Sequence, residues 1–168
     1  MKHLYLGGIR SGKSQLAEES AANCCEQVTY IATAEPRDPS MATRIERHQA
    51  RRPNHWATIE APIALATALL KHSRSEHCVL IDCLGLWMSN LLESGEDTLE
   101  SERARLLDAL DAIGGDLILV SPEVGLGIMP INDLARRYAD QLGELNQAVA
   151  QRCDRVTLAI AGLPHPLK

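Results

Sequence analysis

Short apolar runs alternate with helix-spaced segments from one end of the chain to the other. The runs are His3–Leu6, Val28–Ala32, Trp56–Glu60, Cys78–Asp82, Leu117–Ser121 and Arg155–Ile160. Between them, helical patterns cover Lys13–Ala22, Pro39–Arg51, Ile63–His72, Leu84–Leu92, Thr98–Ile113 and Ile131–Gln151. Several helix ends carry a marker. Asp38 before Pro39 offers a capping carboxylate and a preset φ at a helix start. Pro53 stops that helix, and Gly114–Gly115 can close the long one after Ile113. Strand–helix–strand alternation with continuously apolar strands predicts an α/β domain with a largely parallel sheet. Strand order stays open at this level.

Composition sharpens the picture. A chain of 168 residues suits one domain, residues 1–168, around a single core. Hydrophobic residues make up 45%, aromatics only 3%, and Phe is absent, so the core must be built from Leu, Ile, Val and Ala. A net charge of −5 argues against a nucleic-acid binder, which usually carries a basic surface. No apolar run reaches the roughly 18 residues of a membrane span. The start MKHLYLGG lacks the pattern of a secretory signal, so a cytoplasmic location is expected. The cysteines at 24, 25, 78, 83 and 153 are odd in number and contain no C-x-x-C pair. They read as small buried thiols in a reducing compartment. The histidines show no H-E-x-x-H spacing.

The sharpest chemical signal lies at GGIRSGKS, residues Gly7, Gly8, Ile9, Arg10, Ser11, Gly12, Lys13 and Ser14. This is G-x-x-x-x-G-K-S after a short apolar strand and before a helical pattern, the context a phosphate-cradling loop requires. Its glycines permit close backbone approach, its N–H groups turn inward onto an anion, and the helix start adds a positive dipole end. Lys13 then reaches the terminal phosphates, and the Ser14 hydroxyl is placed to ligate magnesium. A second metal-side carboxylate should end another buried strand. Asp82 closes CVLID and fits, although a strand-end Asp also caps helices; Glu123, after LILVSP, is a weaker candidate. DCLG at Asp82–Gly85 matches the D-x-x-G of regulatory GTPases, yet no N-K-x-D or T-K-x-D follows.

The segment DPSMATRIERHQARRP, residues 38–53, places Arg44, His48, Arg51 and Arg52 near one another on a helix. A solvated charged face is the plain alternative. The chemical reading is that arginines hold a polyphosphate and, by repulsion, keep the His48 imidazole neutral. A neutral imidazole beside a bound triphosphate can attack the α-phosphorus and form a nucleotidyl-histidine. His3, His55, His72, His77 and His165 lack such a setting and read as structural or exposed.

At these residues the chain resembles the bifunctional adenosylcobinamide kinase/adenosylcobinamide-phosphate guanylyltransferase family of cobalamin biosynthesis. The resemblance runs through GGIRSGKS, YIATAE (residues 30–35), RIERHQARRP (44–53), HWATIEAP (55–62), LIDCLGLWMSNLL (80–92), VSPEVGLGIMP (120–130), LARRYADQLGELNQAVA (134–150) and AGLPHPLK (161–168). It implies a P-loop NTPase-type, RecA-like three-layer α/β fold, with a mostly parallel central sheet flanked by helices. It implies two reactions. ATP or GTP phosphorylates the aminopropanol hydroxyl of adenosylcobinamide. GTP then guanylylates a histidine, and GMP passes to adenosylcobinamide phosphate, giving adenosyl-GDP-cobinamide. By position that histidine is His48. The implied nucleotide contacts are Gly7–Ser14, Ala32, Thr33, Ala34, Gln49, Ala50, Arg51, Arg52, Glu60 and Asp82, with magnesium at Ser14 and Asp82. A homotrimer is also implied. The family often has Glu at the position of Asp82, and some members carry a second histidine where this chain has Arg47.

Two other readings compete. A simple P-loop kinase for a small hydroxyl substrate would have no use for a nucleophilic His48. A non-catalytic GTP-binding switch would need the guanine-reading motif that is missing.

Overall fold

The structure is a computed structural model that describes residues 1–35 and 39–168, without the side chains at 40, 44 and 47. The capping role expected of Asp38 lies outside the described residues, as does the Arg44 side chain.

The chain runs β1 (Lys2–Gly7), α1 (Lys13–Cys24), β2 (Val28–Ala32), α2 (Pro39–Arg51), β3 (Ala57–Glu60), α3 (Leu65–His72) and β4 (Cys78–Asp82). It continues α4 (Leu84–Ser94), α5 (Glu96–Ala112), β5 (Asp116–Pro122), α6 (Asp133–Arg152), β6 (Arg155–Ile160) and β7 (Leu163–Pro166). Every predicted strand and helix is present, with ends moved by a few residues for local reasons. The helix read from Ile131 starts at Asp133, because the Asn132 side chain accepts from Ala135 N–H and caps it. The helix read from Ile63 starts at Leu65, because the Ile63 carbonyl accepts instead from Leu65 N–H and Trp87 Nε1.

Among the described residues the sheet has the order β3-β2-β4-β5-β1-β6-β7. All neighbouring pairs are parallel except β6 and β7. β7 was not among the predicted strands. It turns back through Ala161 (φ 52°) and Gly162 (φ 79°), the paired positive φ values of a tight hairpin turn. Its two prolines are tolerated because β7 lies at the sheet edge.

Alternate residues of the central strands feed two apolar clusters. Leu4, Leu6, Val79, Ile81, Leu117 and Leu119 face α3, α4, α5 and α6. Tyr5, Tyr30, Leu80, Ile118 and Val120 pack with Ala17 and Ala21 of α1 and with Trp56. The result is helix, sheet, helix, with β4, β5 and β1 covered on both sides. The small alanines let α1 lie close to the sheet, which brings the phosphate loop down onto the ends of β1 and β6. The cysteine reading needs correction: Cys78 and Cys153 are buried, but Cys24, Cys25 and Cys83 are only partly so.

Candidate active site

Parallel strands all end at one edge, and ligands of open α/β sheets bind there. That edge collects Gly7 from β1, Ala32 from β2, Glu60 from β3, Asp82 from β4 and Pro122 from β5. The residues singled out from the sequence therefore converge because of topology.

The phosphate loop is tightly held. Gly12 sits at φ 93°, and a Cβ there would stand 2.9 Å from Gly162 Cα. Gly162 N–H donates to the Ser11 carbonyl at 2.8 Å, so the β6–β7 turn braces the loop from behind. Lys13 is buried and its Nζ donates to the Gly8 carbonyl at 3.1 Å. Ser11 Oγ is buried and, among the described residues, has no hydrogen-bond partner. A buried hydroxyl without a partner is costly, and inside such a loop it suits an anion acceptor.

His48 stands on α2 with its Nδ1 directed at the end of β4. Asp82 Oδ2 is 3.7 Å away, Glu18 Oε1 of α1 3.9 Å, and Arg51 Nη2 3.3 Å. Arg51 also pairs with Glu18 at 3.3 Å. Arg52 donates from Nε to the His48 carbonyl at 2.8 Å and lays its guanidinium 3.6 Å over the Tyr30 ring. Tyr30 in turn donates its O–H to Asp82 Oδ2 at 3.1 Å. Burial, reinforced by the Asp82 charge, pushes the Tyr30 phenol well above its ordinary range, so it remains a donor. Burial also raises the Glu18 carboxyl, and the Arg51 charge opposes that. Lys13 lies close enough to lower the thiol of Cys83, next to Asp82, although burial dominates and lifts it to about 11.

The structure thus brings together His48, Asp82, Arg51 and Arg52 and places Lys13 nearby. It adds Glu18 and Tyr30, which sequence reasoning missed. Glu18 had a signal: it follows Ser14 by four residues, one helical turn along the same face of α1. The environment read for His48 is corrected. Arginines do not surround the ring alone, because two carboxylates also face Nδ1.

Other candidates stand apart. Thr33 is fully buried, and its hydroxyl both donates to the Cys83 carbonyl and accepts from Cys83 N–H. It clasps the loop after β2 to the end of β4. Ala32 and Ala34 are half-buried beside it, while Gln49, Ala50 and Glu60 are exposed. Among the described residues no hydrogen bond or ion pair joins Glu60 to the His48 cluster. Glu123 is fixed in the loop after β5, accepting from Gly125 N–H at 2.6 Å. Its backbone N–H bonds the Gly7 carbonyl.

The family described as cobinamide kinase/cobinamide phosphate guanyltransferase matches residues 3–167. The chain belongs to this family. The bifunctional adenosylcobalamin biosynthesis protein CobP of Pseudomonas aeruginosa is 52% identical over 169 residues, covering 100% of this chain and 98% of that protein. The bifunctional adenosylcobalamin biosynthesis protein CobU of Salmonella typhimurium is 34% identical over 182 residues, covering both chains completely. Family membership makes the chain a cobinamide kinase and cobinamide phosphate guanylyltransferase. Among solved structures, a type III secretion ATPase superposes with a TM-score of 0.56 at 14% identity, covering 98% of this chain and 56% of its own. The RadB recombinase superposes at 0.51 and 14%, covering 94% and 73%. These two place the fold in the RecA-like P-loop class expected from the sequence. No helix among the described residues is long and apolar enough to cross a membrane.

Proposed function

We propose that the guanylyl transfer of this enzyme runs through a covalent guanylyl-histidine at His48. The observation that carries the reading is the approach of His48 Nδ1 to Asp82, 3.7 Å away at the end of β4, on the edge where the phosphate loop also opens. A plain kinase has no need of this histidine.

GTP or ATP would seat its phosphates on the N–H groups of Gly7, Gly8, Ile9, Arg10, Ser11, Gly12, Lys13 and Ser14. Ser14 and Asp82 are an oxygen donor set suited to magnesium, which would supply charge neutralisation on the phosphates. The contacts proposed for Ala32, Thr33, Ala34, Gln49, Ala50, Arg51, Arg52 and Glu60 would frame the rest of the nucleotide; the Thr33 side chain does so by holding the strand ends together.

Arg51 has only donors, so its bond to His48 Nδ1 puts the ring lone pair on that nitrogen. A triphosphate competes for the Arg51 guanidinium. With Arg51 drawn to the phosphates, Nδ1–H turns to Asp82 or Glu18 and the lone pair moves to Nε2. Nε2 then attacks the α-phosphorus of GTP. A P–N bond forms, the bond to pyrophosphate breaks, and the surplus imidazole proton goes to the neighbouring carboxylate. A phosphate oxygen of adenosylcobinamide phosphate next attacks the same phosphorus and releases His48. For the kinase step, positioning and charge stabilisation by the loop carry the transfer.

The working unit is one catalytic domain, residues 1–168, acting in the cytoplasm as a homotrimer. Support for association comes from the loop after β5 and the first turn of α6: Leu126, Ile128, Met129, Ile131 and Leu134 are all largely exposed, Ile128 at 98%. So many exposed apolar side chains in one short stretch suit an interface.

GTP labelled at the α-phosphate tests the mechanism. The protein should acquire acid-labile, alkali-stable label, adenosylcobinamide phosphate should remove it, and His48→Ala should prevent it. Label retained in His48→Ala would sink the assignment of the nucleophile.

A further inference from the structure

Cys24 closes α1, and Cys25 is the first residue past it, with extended backbone (φ −145°, ψ 147°). The switch from helical to extended geometry between neighbours lets both side chains face the start of β5. Their Sγ atoms stand 3.9 Å apart, and Asp116 Oδ2 lies 3.6 Å from Cys25 Sγ. All three donor atoms are within 4.8 Å of one another. In a tetrahedral zinc site with Zn–S about 2.3 Å and Zn–O about 2.1 Å, the sulfur–sulfur edge is about 3.8 Å and the sulfur–oxygen edge about 3.6 Å. Both measured edges match these values.

We propose that Cys24, Cys25 and Asp116 form a binding site for a soft divalent cation of the zinc–cadmium class. The surroundings suit a cation. The carboxyl end of α1 contributes the negative end of its dipole. The Met1 amine donates to Asp116 Oδ1 at 2.8 Å, which fixes the carboxylate with Oδ2 toward the thiols. A cavity of about 400 Å³, lined in part by Cys24, Cys25, Glu26 and His55, opens on the cluster. Water from the cavity would supply the fourth ligand. Free cysteine thiols, with an ordinary pKa of about 8.5, are protonated near neutral pH. Uptake therefore exchanges protons for metal: M²⁺ and two R–SH give M(S–R)₂ and two H⁺.

The site is distinct from the catalytic one. α1 has 12 residues, so the thiols lie about 18 Å from the phosphate loop at the other end of the helix.

Cadmium titration of the intact chain provides the test. One equivalent should give a thiolate-to-cadmium charge-transfer band and release two protons, and zinc should displace it. Cys24→Ser and Cys25→Ser should each weaken binding at least tenfold, and the double variant should lose the band. His48→Ala should keep it, separating this cluster from the one formed by Glu18, His48 and Asp82. No band in the wild type, or a band that survives in the double variant, overturns the proposal. A readout independent of variant folding is alkylation mapping of the wild type: cadmium should protect Cys24 and Cys25, and equal alkylation with and without metal refutes the site.

Discussion

Gly12→Ala separates the spatial demands of the phosphate loop from the mere presence of a motif. Gly12 holds φ 93°, where an L-residue is disfavoured by about 1–2 kcal/mol. The new Cβ would meet Gly162 Cα at 2.9 Å, backbone against backbone, with no flexible side chain to yield. Overpacking of that kind costs about 1–3 kcal/mol. The sum is roughly 2–5 kcal/mol, and relaxation would strain the 2.8 Å bond from Gly162 N–H to the Ser11 carbonyl. For a domain of this size the melting temperature should fall on the order of 10 °C. Gly8 is the control. It is exposed, has no positive φ, and a Cβ there meets nothing within 4 Å. Gly8→Ala should move stability by no more than about 0.5 kcal/mol. Thermal unfolding of both variants, with and without nucleotide, reads the difference. Equal melting of Gly12→Ala and wild type, or equal losses in the two variants, would show that Cβ space does not set this loop.

Asn90→Ala should destabilise by about 2–4 kcal/mol in urea unfolding, because its amide serves the carbonyls of buried Thr33 and half-buried Pro62, at 2.9 and 3.0 Å, and both lose that donor. Arg52→Lys loses the planar contact on Tyr30 and the fixed bond to the His48 carbonyl. It should slow α-phosphate labelling of the protein more than it weakens GTP binding, measured by initial labelling rates against equilibrium titration. Burial lowers the pKa values of His3 and His77 from the ordinary 6.5. The unfolded chain then binds more protons than the native one just below that value, so stability should fall as pH drops through and below 6.5. Melting temperatures across that range should show the slope, and His3→Gln with His77→Gln should flatten it.

The elements were legible because buried parallel strands and amphipathic helices write different periods into the chain. The strand order was not, since each strand of a covered parallel sheet is apolar on both faces and carries no mark of its neighbour. β7 was invisible for a further reason: LPHP contains two prolines, a pattern that argues against a strand until the edge position is known. The phosphate-loop motif stands out in the sequence because it is local, with strand, glycines, Lys13 and Ser14 consecutive. The surroundings of His48 could not, because they come from three separate elements. On α2 alone, the neighbours of His48 are Arg44 and Arg51 and the face looks positive. The fold then brings Asp82 from the end of β4 and Glu18 from α1, at 3.7 and 3.9 Å. Residue spacing on one helix counts only the charges that helix carries, and here the balancing charges sit on its partners. Glu18 was the recoverable part. Any helix that opens with a phosphate-loop Ser aims its next turn along the same face, so the residue four positions on stands beside whatever binds there. That turn carries a carboxylate in this chain.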